Sequence, residues 1–125
     1  MEQVELNKIL DEHRIWLRTN GKEGQRADLC YADLCYADLR YADLDYSAFP
    51  LCCGGLDVNI DDRQATQLLY HLIRNVNYSK NTSKSFKKIC RIKSLVKQAN
   101  NFHRAEECGI IKEDTEDESR KNGTK

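Results

Sequence analysis

Between Ala27 and Tyr46 the chain repeats itself every five residues: Ala27-Asp-Leu-Cys-Tyr31, Ala32-Asp-Leu-Cys-Tyr36, Ala37-Asp-Leu-Arg-Tyr41 and Ala42-Asp-Leu-Asp-Tyr46. A degenerate fifth unit follows, Ser47-Ala-Phe-Pro-Leu51. Neither common regular structure accepts this period. On an α-helix, positions five apart drift by about 140° per unit and form no stripe. In a strand an odd period sends alternate units to opposite faces. A chain that turns a corner every five residues satisfies the pattern. It points the Ala and Leu of each unit toward one axis.

The units match an A-(D/N)-L-x-x pattern, and over residues 27–51 the chain resembles the pentapeptide-repeat family. The resemblance implies a right-handed quadrilateral β-helix with four units to a coil. It implies a core of Leu29, Leu34, Leu39, Leu44 and Phe49, with Ala27, Ala32, Ala37 and Ala42 as small partners. Together with the flanking segments it gives an α+β fold class. The expected architecture is a β-helix of about one coil, capped by an N-terminal amphipathic helix and followed by two C-terminal helices. The segment before the repeats is similar to those of small phage and bacterial members.

One coil buries too little apolar surface to offset the ordering of its own backbone, so its ends need covers. Residues 2–20 supply one cover. Leu6, Ile9, Leu10, His13, Trp16 and Leu17 recur at the spacing of one helical face, and Asn20-Gly21 is a stop signal. Trp16, with Leu17, is the expected plug. An open coil end also predicts a homodimer in which two coils stack. Downstream, Asp61 and Gln64 have the spacing of a capping box. Residues 61–104 read as a helical hairpin. Ala65, Leu68, Leu69, Leu72, Ile73 and Val76 face inward on its first helix. Phe86, Ile89, Cys90, Val96, Ala99 and Phe102 do so on its second. Residues 112–125 are charged and lack large apolar side chains, which predicts a disordered tail to a single domain spanning 1–125.

Charge is strongly segregated within a net charge of zero. Residues 1–62 carry 13 acids and 6 bases, whereas residues 63–104 carry 10 bases and no acid. Met1 leads into Glu2-Gln3-Val4-Glu5 without a basic and then apolar leader, and no apolar run is long enough to span a bilayer. The expected location is cytoplasmic, with no membrane partner. There the six cysteines (30, 35, 52, 53, 90 and 108) are expected as free thiols, and their spacing matches no zinc motif. No metal, cofactor or catalytic residue is expected, and the chain is predicted not to be an enzyme.

Three sets of side chains are candidates for partner binding. Asp28, Asp33, Asp38 and Asp43 occur once per unit. They would form a ring and not the facing pair that glycosidase chemistry needs. Short acids at corners also satisfy backbone amides. Tyr31, Tyr36, Tyr41 and Tyr46 end the units and, by the resemblance, face outward, where tyrosine suits an interface. Lys84, Lys87, Lys88 and Arg91 share one side of a helix over residues 80–97, which suits phosphates or an acidic protein. The combined expectation is a non-catalytic protein-binding module. Its sharpest form is a phage- or prophage-derived inhibitor of a host nucleic-acid-handling system: a topoisomerase, a nuclease or, as an anti-CRISPR, a CRISPR effector. The partner is then a host protein or ribonucleoprotein. The alternative is a nucleic-acid-binding protein that uses the basic 80–97 helix. Mimicry of duplex DNA is not expected, because one coil is far shorter than a stretch of duplex.

Overall fold

A computed structural model describes residues 1–113 of the chain. The chain divides into two compact units, one from Met1 to Gln64 and the other beginning at Ala65. The expectation of a disordered tail falls, from residue 114 on, outside the described residues.

The first unit opens with α1 (Gln3–Arg18). Its buried side chains, Leu6, Leu10 and His13, are spaced to lie on one face. After the helix, Asn20 and Gly21 take positive φ (53° and 84°), and the Gly21 amide donates to the Trp16 carbonyl at 2.8 Å. The chain then doubles back along the helix. A Cβ at Gly24 would stand 2.4 Å from the Glu12 carbonyl oxygen, so glycine is what permits the return.

Each five-residue unit makes one β-turn. The amides of Ala32, Ala37, Ala42 and Ser47 donate to the carbonyls of Leu29, Leu34, Leu39 and Leu44. Inside the turns Leu29, Leu34 and Leu39 are fully buried and Leu44 nearly so, with Ala27, Ala37 and Ala42 beside them. Ala32 and Phe49 are partly buried against this core.

The quadrilateral β-helix implied by the resemblance is not present, and the α+β class falls with it. Among the described residues there is no strand and no sheet, and the regular structure is helical. Strand-like pairing is confined to two isolated parallel bridges, Asp28 with Ala48 and Asp38 with Asn59. A turn in every five residues leaves segments too short to carry a ladder beyond one pair. What forms is a winding of tight turns. Residues 48–61 make a second pass over it without repeating the motif. The amides of Leu29, Leu34, Tyr36 and Leu39 donate to the carbonyls of Ala48, Gly54, Asp57 and Asn59. Val58 and Ile60 of this pass pack against the leucines.

The helix is joined to the winding by polar side chains as well as apolar ones. His13 is wholly buried. Its Nδ1 accepts the Ala27 amide at 3.0 Å, so Nε2 carries the proton and donates to the Asp45 carbonyl at 2.8 Å. Gln3 forms a paired amide contact with the backbone of Asp38 (2.9 and 2.8 Å). The plug is therefore Leu6, Leu10 and His13. Trp16 and Leu17 stay half-exposed, with Trp16 stacked on His13 and set edge-on to Tyr46. At the far end the Asp61–Gln64 capping box forms in both directions (2.9 and 3.1 Å). Buried Gln64 also donates to the carbonyls of Leu39 and Ala42.

α2 (Asp62–Tyr78) leads into the second unit. Its core joins Tyr70, Ile73 and Val76 to Cys90, Val96, Ala99, Phe102, Ala105 and Ile111. Leu68 and Leu72, expected inside, are exposed, while Thr66 and Tyr70 are buried. Two hydrogen bonds account for this rotation of the helix. Gln98 donates to the Thr66 hydroxyl at 2.9 Å, and the Tyr70 hydroxyl donates to the Gly109 carbonyl at 2.5 Å. The predicted second helix is broken into α3 (Lys84–Ile89), α4 (Lys93–Ala99) and a short α5 (Ala105–Cys108). Lys84 with Lys88, Lys87 with Arg91 and Lys93 with Lys97 are like charges four apart, which weaken a continuous helix. Ile92 is extended at the break and Cys90 turns into the core.

Replacing His13 by Ala leaves a buried amide and a buried carbonyl without partners beside a cavity. The expected loss of stability is about 2–4 kcal/mol, read as a lower urea midpoint at an unchanged slope.

Candidate functional site

The acidic residues of the repeat are occupied by the backbone they belong to. The amides of Cys30, Cys35 and Arg40 donate to the carboxylates of Asp28, Asp33 and Asp38 at 3.2, 3.1 and 3.0 Å, each a local turn two residues long. Arg40 also grips Asp38 through Nε and Nη2, both at 2.9 Å. Asp43 pairs with Arg63. The carboxyls titrate accordingly. The Arg40 side chain and amide hold Asp38 down at about 2. Asp28 is lowered chiefly by the Cys30 thiol, and Asp33 chiefly by the Cys35 amide. In return Asp28 raises the Cys30 thiol and Asp33 raises that of Cys35. These acids therefore shape the turns, with Asp38 and Asp43 paired to arginines and Asp28 and Asp33 held by neutral amides in their charged form.

The tyrosines differ. Tyr31, Tyr36 and Tyr41 are 97%, 83% and 86% exposed, and Tyr46 is exposed beside Trp16. Each occupies the third position of its turn. Tyr36, Tyr41 and Tyr46 do so with φ of 65°, 70° and 62°. That left-handed region suits glycine or asparagine and costs a bulky residue about 1–2 kcal/mol. Leu51, which the repeat pattern places in its degenerate unit, is 98% exposed on the second pass. Nothing in its spacing marked it out.

In the second unit the basic residues are not on one long helix. Lys84 and Lys88 lie exposed on α3, with Arg91 exposed just beyond it. Lys87 is half-buried and donates to the Ser79 carbonyl at 2.6 Å. Lys93 and Lys97 are exposed on α4. Phe86, Ile89 and Ile92, of which Phe86 and Ile89 are expected inside, stand exposed among these bases.

Among the described residues no group of three or more His, Cys, Asp and Glu side chains is placed to hold a metal ion. No helix among them is long and apolar enough to cross a membrane. Comparison with protein-family models, curated proteins and solved structures finds no match to the chain.

Because Asp38 titrates at about 2 against an ordinary 3.8, its contribution to stability is complete above about pH 4 and is lost as the pH falls through about 2. A carboxyl NMR titration should place the Asp38 midpoint near 2, with Asp28 and Asp33 also below the ordinary value. The Arg40→Ala variant should move the Asp38 midpoint upward.

Proposed function

We propose that this protein is a non-catalytic binding module whose turn-built winding presents tyrosines to a macromolecular partner. One observation carries the reading: three tyrosines sit in a left-handed conformation that disfavours them while exposing most of their surface. Tyr46 packs edge-on to Trp16, but at Tyr36 and Tyr41 the strain has no side-chain packing to offset it, the pattern of residues kept for what they contact. Tyrosine also gives a large contact area with few torsions to freeze. The partner class we propose is a host protein or ribonucleoprotein that handles nucleic acid. The split of charge supports it, with a net −6 on residues 1–64 and +7 on residues 65–113. Substituting Asn at both Tyr36 and Tyr41 should relieve strain, raising stability by about 1–3 kcal/mol. The same change should abolish retention of the partner from host lysate at physiological salt. Undiminished retention by the double variant would sink the reading.

A second reading rests on a separate observation. Residues 63–104 hold ten bases and no carboxylate, and Lys84, Lys88, Lys93 and Lys97 are exposed. This arrangement supports direct nucleic-acid binding by the second unit, governed by phosphate contacts. Affinity for a DNA or RNA oligonucleotide should then fall linearly in log–log form with salt. Charge reversal at Lys84, Lys88 and Lys93 should flatten that slope by about 3. A slope unchanged by the triple variant would reject it.

A further inference from the structure

Four of the six cysteines lie in the first unit, two on the first pass of the winding and two on the second. The Cys35 thiol is 3.3 Å from the Cys53 carbonyl oxygen. The backbones carrying them are fastened on either side: the Leu34 amide donates to the Gly54 carbonyl and the Tyr36 amide to the Asp57 carbonyl, both at 2.7 Å. They are also in direct contact. A Cβ at Gly54 would lie 2.5 Å from the Ala32 carbonyl oxygen and 3.0 Å from the Asp33 Cα. We propose that Cys35 and Cys53 form an intramolecular disulfide when the protein meets a small-molecule disulfide oxidant, locking the second pass of the winding to the first.

The competing pairs are less well placed. A disulfide needs Cα atoms about 4.4–6.8 Å apart, and adjacent Cys52 and Cys53 stand only about 3.8 Å apart. Cys90 is buried in the core of the other unit. The Cys30 thiol is held by Asp28 as the Cys35 thiol is by Asp33, so what sets the proposed pair apart is the contact of the Cys35 thiol with the Cys53 carbonyl. Access permits the exchange, since Cys53 is exposed and Cys35 is half-buried.

The exchange proceeds in two steps. The Cys53 thiolate attacks one sulfur of the reagent and expels one reagent thiolate, leaving a mixed disulfide on Cys53. The Cys35 thiolate then attacks the Cys53 sulfur and expels the second reagent thiolate. Two protein thiols are oxidised by two electrons, the reagent disulfide is reduced to two thiols, and the two protons pass to the departing thiolates. Asp33 raises the Cys35 thiol above its ordinary range, which lowers the share of thiolate at that position.

Peptide mapping of the whole chain tests this. The protein is incubated with hydroxyethyl disulfide, remaining thiols are alkylated, and tryptic digestion is run without reduction. Cleavage after Arg26, Arg40 and Arg63 places Cys35 and Cys53 in different peptides. The expected product is peptide 27–40 joined to peptide 41–63, lighter by two hydrogens than the separate pair. Fragmentation of the wild-type product should assign the bond to Cys35 and Cys53 without any substitution. The link should persist when Cys30→Ser and Cys52→Ser are combined and vanish in Cys35→Ser and in Cys53→Ser. The proposal is overturned by a Cys30–Cys52 bond, by mixed disulfides with no cross-link, or by loss of the link from a double variant whose circular dichroism matches wild type.

Discussion

The first unit depends on a buried histidine that hydrogen-bonds with both ring nitrogens. His13 takes the Ala27 amide at the start of the first turn and gives its own proton to the Asp45 carbonyl at the fourth. One side chain of α1 thus fixes both ends of the repeat. The need is physical. A short winding has two open ends, and each end exposes backbone groups that no neighbouring turn can satisfy. Gln3 and His13 satisfy them at one end and Gln64 at the other, each by acting as both donor and acceptor or by donating twice. Leu6 and Leu10 only fill the space between these contacts. Apolar covers alone would bury the same carbonyls unpaired, which costs more than the burial returns.

This division of labour explains why the repeat can be so short. Within each unit Leu fills the axis, Ala makes room for the next turn, and Asp holds the corner amide. Three of five positions are committed to folding. The fourth varies freely among Cys, Arg and Asp. The fifth is Tyr in all four units, and at Tyr36, Tyr41 and Tyr46 it takes a conformation that a smaller residue would adopt at less cost. Folding alone does not select that residue there.

The repeat's core was legible in the sequence because its period admitted so few structures, and Leu29, Leu34 and Leu39 lie where that argument puts them. The second pass was not, because residues 48–61 carry no repeat. Its trace in the sequence is the alternation of Leu56, Val58 and Ile60, of which Val58 and Ile60 turn inward. The strands implied by the resemblance do not form, because corner spacing fixes turns but not ladders. Trp16, expected as the plug, stays half-exposed because the site needs a donor and an acceptor, and His13 supplies both. On α2, hydropathy pointed to Leu68 and Leu72, but Thr66 and Tyr70 have partners for their hydroxyls and decide the rotation.

The same logic separates the charges of the two units. In the first, with a net −6 over residues 1–64, acids are placed where amides need acceptors. In the second, Lys87 serves the Ser79 carbonyl in a comparable way, whereas Lys84, Lys88, Lys93 and Lys97 are exposed. Of the exposed bases on α3 and α4, none has a carboxylate within residues 63–104 to pair with. Their mutual repulsion instead works against the helix that carries them, and the helix is broken there. The broken helix also leaves Phe86, Ile89 and Ile92 beside the lysines. A surface that combines clustered positive charge with exposed apolar side chains carries a free-energy cost in isolation. An anionic partner with apolar surface of its own would remove both parts of that cost at once.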